Sequence, residues 1–235
     1  MRRILNPNLN IMIAAANRLG ELRDDMVFIG GCATGLLITD SAAPEVRPTI
    51  DVDVIVEVAS RAEFYKLEEE LRGRGFQQIM HNEAPICRWQ ADDVILDVMP
   101  TDPQILGFGN RWYRSSLENA ESVVLQRGVA VNMITAPYFL GTKMEAFLTR
   151  GNGDYYGSHD LEDMIAVIDG RPELVDEIRD QCDELKDYLA EEFKKIIEDE
   201  SFIDAIPAHL PPDEAGQGRL ETILDRFHQI INLTR

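Results

Sequence analysis

Three aspartates carry the chemistry most worth following. Asp51 and Asp53 alternate with Val52 in Ile50-Asp51-Val52-Asp53-Val54-Ile55-Val56, and Asp97 stands alone in Val94-Ile95-Leu96-Asp97-Val98-Met99. Residues i and i+2 of a strand project from one face, so the first two carboxylates aim at one point while Val52 turns into the core. Asp97 has only apolar neighbours, and a carboxylate buried there needs a cation or hydrogen bonds to keep its charge. A hard divalent ion, Mg²⁺ or Mn²⁺, bridges such acids and leaves positions for water and phosphate oxygens. That arrangement suits phosphoryl or nucleotidyl transfer from an NTP. One ion lowers the pKa of an attacking hydroxyl while another neutralises the triphosphate and the leaving pyrophosphate.

The elements that must position these acids follow from the pattern around them. Gly30-Gly31 separates a short strand, Met26-Val27-Phe28-Ile29, from an apolar helical run over 33–38. A side-chain-free turn at that junction lets backbone N–H groups approach phosphate oxygens. A glycine pair alone is an ordinary tight turn, and paired acids alone fit an exposed edge strand. The succession of turn, paired acids and single acid is what points to a metal site holding Asp51, Asp53 and Asp97.

Upstream, period-3.6 apolar spacing predicts a helix over 8–23, and a second helix is expected over 61–74. Strands are expected over 50–56, 77–80, 86–90 and 94–99, with 101–114 a loop because it contains Pro103, Gly107 and Gly109. Strands over 122–126 and 129–133 flank Arg127-Gly128 as a hairpin turn. After Pro137 the texture becomes helical, over 138–149, 159–168, 172–200 and 213–233. The expected architecture is α+β, with a mixed sheet flanked by helices and followed by a helical C-terminal half. The boundary falls near Ala136, giving a catalytic domain over 1–135 and a helical domain over 136–235.

Composition narrows the function classes. The 235 residues carry a formal net charge of −19, which argues against broad, non-specific nucleic-acid binding unless Arg111, Arg114 and Arg127 form a local basic rim. The acids over 176–204 read as the solvated face of a helix. Cys32, Cys87 and Cys182 are odd in number and widely spaced, which fits reduced thiols rather than disulfides or a zinc site. No apolar run approaches the roughly 20 residues of a membrane span, and the N-terminus lacks a signal-peptide pattern, so a cytoplasmic protein is expected.

Gly30-Gly31-Cys32-Ala33-Thr34-Gly35-Leu36, followed by Arg47-Pro48-Thr49-Ile50-Asp51-Val52-Asp53, resembles the signature of polymerase β-type nucleotidyltransferases. The Arg-x-Thr-x-Asp-x-Asp form with its long gap from the glycines is most similar to AbiEii-type nucleotidyltransferase toxins. Lys143-Met144-Glu145-Ala146-Phe147, Arg150 and His159-Asp160-Leu161-Glu162-Asp163-Met164 extend that similarity, which covers about 27–168. The resemblance implies that Gly30, Gly31, Arg47 and Thr49 serve the nucleotide. It further implies that Lys143 contacts the triphosphate and that Asp160 or Asp163 orients it. It implies an NTP as substrate, an RNA acceptor such as a tRNA 3′ end, and a cognate antitoxin protein as partner. A small-molecule or protein acceptor stays open, as does a catalytically silent module of the same fold that binds a partner through its acidic helical half. A metal-dependent phosphohydrolase is disfavoured because its His-Asp ligand motif is missing.

Overall fold

The structure is a computed structural model that describes residues 6–79, 84–126 and 128–234. It divides into two compact units, one of Pro7–Ala33 and Pro48–Thr135, the other of Met1–Asn6, Thr34–Arg47 and Ala136–Arg235. The helical unit thus also includes Thr34–Arg47, which precedes the boundary expected near Ala136.

The first unit contains α1 (Leu9–Leu19), β1 (Met26–Ile29), β2 (Asp51–Val56), α3 (Arg61–Gly73), β3 (Gln77–Gln78), β4 (Arg88–Ala91), β5 (Val94–Pro100), α4 (Pro103–Leu106), α5 (Tyr113–Glu118), β6 (Glu121–Gln126) and β7 (Val129–Met133). Among the described residues its strands form one seven-stranded mixed sheet in the order β3-β4-β5-β2-β1-β7-β6. The β1·β7 and β2·β5 pairs are parallel and the remaining pairs antiparallel. The central β1 is buried along its whole length, which explains its unbroken apolar sequence. The helix α1 lays Met12, Ala15, Ala16 and Leu19 into the core and packs on β2, β5 and β7. Ser60 caps α3 by accepting from the Glu63 N–H, while the Glu63 carboxylate accepts from the Ala59 N–H.

The second unit contains α2 (Thr34–Leu37), α6 (Ala136–Arg150), α7 (His159–Gly170), α8 (Leu174–Arg179), α9 (Asp183–Ile197), α10 (Glu200–Ala205), α11 (Glu214–Gln217) and α12 (Leu220–Ile231). Its core is built on aromatic contacts: Phe227 meets Phe193 and Phe202 edge-on, and Tyr155 packs between Phe147 and Phe202. Arg219 ties Asp40 to the buried Asp169. On α9, Lys195 pairs with Glu191 and Glu192, so the acidic stretch is a helix face carrying i,i+3 and i,i+4 ion pairs.

The α+β architecture expected from the pattern is present, with three local corrections. The helix expected over 8–23 is α-helical only to Leu19, because Gly20 takes φ 58° and the chain continues as a 3₁₀ turn over Gly20–Asp25. The loop expected over 101–114 contains α4 and the start of α5. The same Pro103 and Gly107 that read as breakers are a helix start behind the Asp102 cap and a left-handed stop at φ 84°. The helical stretches expected over 172–200 and 213–233 are each broken, the first into α8 and α9 and the second into α11 and α12. Met80, at the end of one expected strand, and Arg127, in the expected hairpin turn and basic rim, lie outside the described residues. Among the described residues no helix is long and apolar enough to cross a membrane.

Candidate active site

Strand register brings the acids of the sheet unit together. Asp53 on β2 is the direct partner of Asp97 on β5, and Arg88 on β4 is the direct partner of Asp97 from the other side. Directly paired residues share a face, so Arg88, Asp97 and Asp53 form a row across three strands, with Asp51 two residues along β2 on that face. Val52 between them is buried, as the alternation requires.

Asp97 is 6% exposed, and the cation that its burial demands is supplied by the chain itself. Arg88 forks onto it, Nε to Oδ1 at 2.8 Å and Nη2 to Oδ2 at 2.7 Å. The same Nη2 donates to Asp51 Oδ2 at 2.6 Å, so one guanidinium crosslinks two of the three acids. The other Asp51 oxygen accepts from the Thr49 hydroxyl at 2.7 Å. The hydrogen bonds that Arg88 donates to Asp97 hold its pKa above its ordinary value against burial, and the charges of Asp97, Asp51 and Asp53 add to them. Next door, burial pushes the Cys87 thiol up to about 12, reinforced by the negative charge of Asp97 and Asp53.

The glycine turn meets the third acid. Gly30 has φ 71°, and a Cβ built on it would lie 1.9 Å from Asp53 Oδ2, so only glycine lets the backbone press against this carboxylate. The turn closes with the Ala33 N–H donating to the Gly30 carbonyl at 3.1 Å. Buried Asn8 then fixes it to β2: its amide donates to the Gly31 carbonyl at 3.3 Å and its oxygen accepts from the Thr49 N–H at 2.9 Å. Asn8 precedes α1 yet makes no side-chain cap there, because its side chain is engaged in this bridge.

These donors fit a divalent cation unequally. Asp51 and Asp53 offer hard oxygens from one strand face. Both Asp97 oxygens accept from Arg88, and among the described residues no three acids, histidines or cysteines are gathered as a metal-ligating group.

The remaining expected site residues lie in the helical unit, in a separate ionic network. Lys143 and Arg150 are seven residues apart on α6, and Asp160 and Asp163 three apart on α7, so each helix presents its pair on one stripe. Buried Lys143 donates to Asp160 at 3.0 Å and to Asp163 at 2.7 Å. Arg150 forks onto Asp160 with both bonds at 2.9 Å, and Arg47 forks onto Asp163 at 3.1 and 2.9 Å. Burial would raise the Asp160 pKa, but hydrogen bonds from Arg150 and the Lys143 charge bring it below the usual carboxylate value. Burial would likewise lower the Arg47 pKa, but Asp163, with the charges of Glu162 and Asp160, holds it above its ordinary value.

The structure thus groups Gly30, Gly31, Thr49, Asp51, Asp53 and Asp97 in one unit, and Arg47, Lys143, Asp160 and Asp163 in the other. Tyr155 is a packing residue. Sequence reasoning missed Arg88 and Asn8, and it named Arg150 only as part of the resemblance, without a role. For Arg88 a signal existed: Asp92-Asp93 is a two-residue hairpin turn with Asp92 at φ 50°, and counting back from Ala91 opposite Val94 puts Arg88 opposite Asp97.

No protein-family model and no curated protein matches the chain. Among solved structures, an antigenic nucleotidyltransferase-like protein from Paracoccidioides brasiliensis is similar at 22% identity and a TM-score of 0.48, over 84% of this chain and 92% of that one. The protein JHP933 from Helicobacter pylori is similar at 13% identity and a TM-score of 0.47, over 95% of this chain and 89% of that one.

Proposed function

We propose that the chain is a divalent-metal-dependent nucleotidyltransferase of the polymerase β superfamily that moves an NMP from an NTP to an acceptor hydroxyl. The observation that carries this reading is the Gly30 turn pressed onto the Asp53 carboxylate, with Asp51 and Asp97 on the same sheet face. A turn that admits no side chain next to paired acids suits a triphosphate held by backbone N–H groups close to a cation.

Asp51 and Asp53 would hold Mg²⁺ or Mn²⁺, which when bound supplies Lewis-acid stabilisation of the triphosphate. Thr49 fixes the Asp51 rotamer by its hydroxyl bond, and Asn8 holds the glycine turn against the start of β2. Asp97 completes the acidic row and orients Arg88. In the same reading Lys143 serves the nucleotide phosphates, with Asp160 and Asp163 setting its position and Arg47 securing Asp163. The resemblance to AbiEii-type toxins extends the proposal to an RNA acceptor, such as a tRNA 3′ end, in a cytoplasmic toxin neutralised by a cognate antitoxin.

The test is incubation with each labelled NTP, Mg²⁺ or Mn²⁺ and total RNA, comparing wild type with Asp53→Ala. Metal-dependent label that disappears in Asp53→Ala is expected. Its absence on every acceptor would leave the other reading, a catalytically silent module of this fold, which the Arg88 crosslink across two of the acids favours.

A further inference from the structure

Families that work with two metal ions present their acids to both, yet here Arg88 is already bound to two acids of the row, and the second Asp51 oxygen accepts from Thr49. Both oxygens of Asp97 and one of Asp51 accept from Arg88 at 2.6 to 2.8 Å. The guanidinium is anchored from β4, directly opposite Asp97 in the ladder, and its side chain is 22% exposed against 8% for that of Asp97. This is an ion pair built into the sheet rather than a surface contact. Displacing it would strand a buried carboxylate or require a replacement cation at the same place.

We propose that Arg88 is a resident cation of the acid site, standing where a second metal ion would otherwise lie, so that the site takes one divalent ion rather than two. The geometry agrees, since Arg88 bridges Asp97 and Asp51 from the neighbouring strand while Asp51 and Asp53 share one face of β2. Asp97 is then a positioning residue that acts through Arg88. Arginine suits this place better than lysine, because its planar fork reaches both carboxylates with fixed donors and stays charged.

The inference rests on the metal-dependent reading above, and the test is separable from it because it reads binding without turnover. Mn²⁺ alone is titrated into the full chain, and bound ion is counted by equilibrium dialysis with electron paramagnetic resonance of the free ion. Wild type is expected to take one Mn²⁺, and Arg88→Gln two. Arg88→Lys keeps the charge and should stay at one. Circular dichroism checks folding. If Arg88→Gln does not fold, wild type and Arg88→Lys still decide the matter, since two Mn²⁺ bound to wild type overturn the inference. One ion bound with unchanged affinity by wild type and a folded Arg88→Gln also overturns it, as does no ion bound to wild type. Failure of label transfer with one Mn²⁺ still bound would count against the nucleotidyltransferase reading and leave the resident cation standing.

Discussion

Gly30→Ala puts the most exposed joint of the reasoning under load. The native φ of 71° is left-handed, and an L side chain there costs roughly 1–2 kcal/mol. A second effect is specific to this turn. The new Cβ would sit 1.9 Å from Asp53 Oδ2, 2.7 Å from its Cγ and 2.9 Å from its Cβ, where ordinary contact begins at 3.4 Å. The carboxylate oxygen must therefore retreat by about 1.5 Å, or the turn must move away from it. A displacement on the order of 1 Å at a reacting centre costs about 100-fold in rate. Gly107 offers the matched control, because it has φ 84° and nothing within 4 Å of its Cβ position. Gly30→Ala and Gly107→Ala should lose comparable stability in urea melts, about 1–3 kcal/mol. Only Gly30→Ala should lose about 100-fold in metal-dependent label transfer. Equal activity in the two variants would refute the claim that the turn positions Asp53.

The ionic network of the helical unit gives a graded series. Lys143→Met leaves Asp163, whose side chain is 1% exposed, without one of its cations and should cost about 3 kcal/mol in denaturant melts. Arg150→Gln, at a side chain 71% exposed, should cost less than about 1 kcal/mol. Asp160 has a depressed folded pKa, so its contribution is present above the ordinary carboxylate value of 3.8 and is lost as pH falls through the folded value. Thermal melts from about pH 5 downward should show this loss in wild type and a shallower acid limb in Asp160→Asn. Buried Cys87, pushed up to about 12, and buried Cys32 should resist alkylation at pH 8 until the chain unfolds, leaving exposed Cys182 as the one fast thiol. Fast modification at Cys87 would contradict its placement behind the acid row.

Alternation made the shared face of Asp51 and Asp53 legible, because a period of two admits no other assignment once the strand is recognised. The need of Asp97 for a partner was equally legible from its apolar neighbours. The identity of that partner was not, since it depends on the β4–β5 register, and a two-residue acidic turn is a weak signal beside Asn-Gly or Asp-Gly. Asn8 was invisible for a different reason: its hydrogen bonds to Gly31 and Thr49 reach residues 23 and 41 positions away, which no local pattern encodes. Nothing local to Lys143 signals its burial, which depends on helix packing that only the folded unit shows. Pro103 and Gly107 show how one signal serves opposite readings, since the residues that break a long helix also start and stop a single turn.

Charge bears on the acceptor more than any single residue does. With a formal charge of −19, sequence-independent attraction to a polyanion must come from cations that are not already neutralised. Arg114, one of the residues proposed for a basic rim, pairs with Glu57 at 2.6 Å, and Arg72 with Glu68 and Glu69. Arg18 pairs with Asp92, and Arg219 with Asp40 and Asp169. A guanidinium that leaves a carboxylate to meet a phosphate exchanges one ion pair for another and leaves an acid behind, so its net gain is small. Each phosphate neutralised on a single strand steepens the salt dependence by about 0.7 in log–log slope, so a protein that neutralises few phosphates binds with a shallow slope. Under the proposed function, an acceptor engaged at one end, by its terminal hydroxyl and one or two adjoining phosphates, suits this surface. A long duplex tracked along its backbone does not, and the same ion pairing that neutralises these arginines favours recognition of a terminus over recognition of a groove.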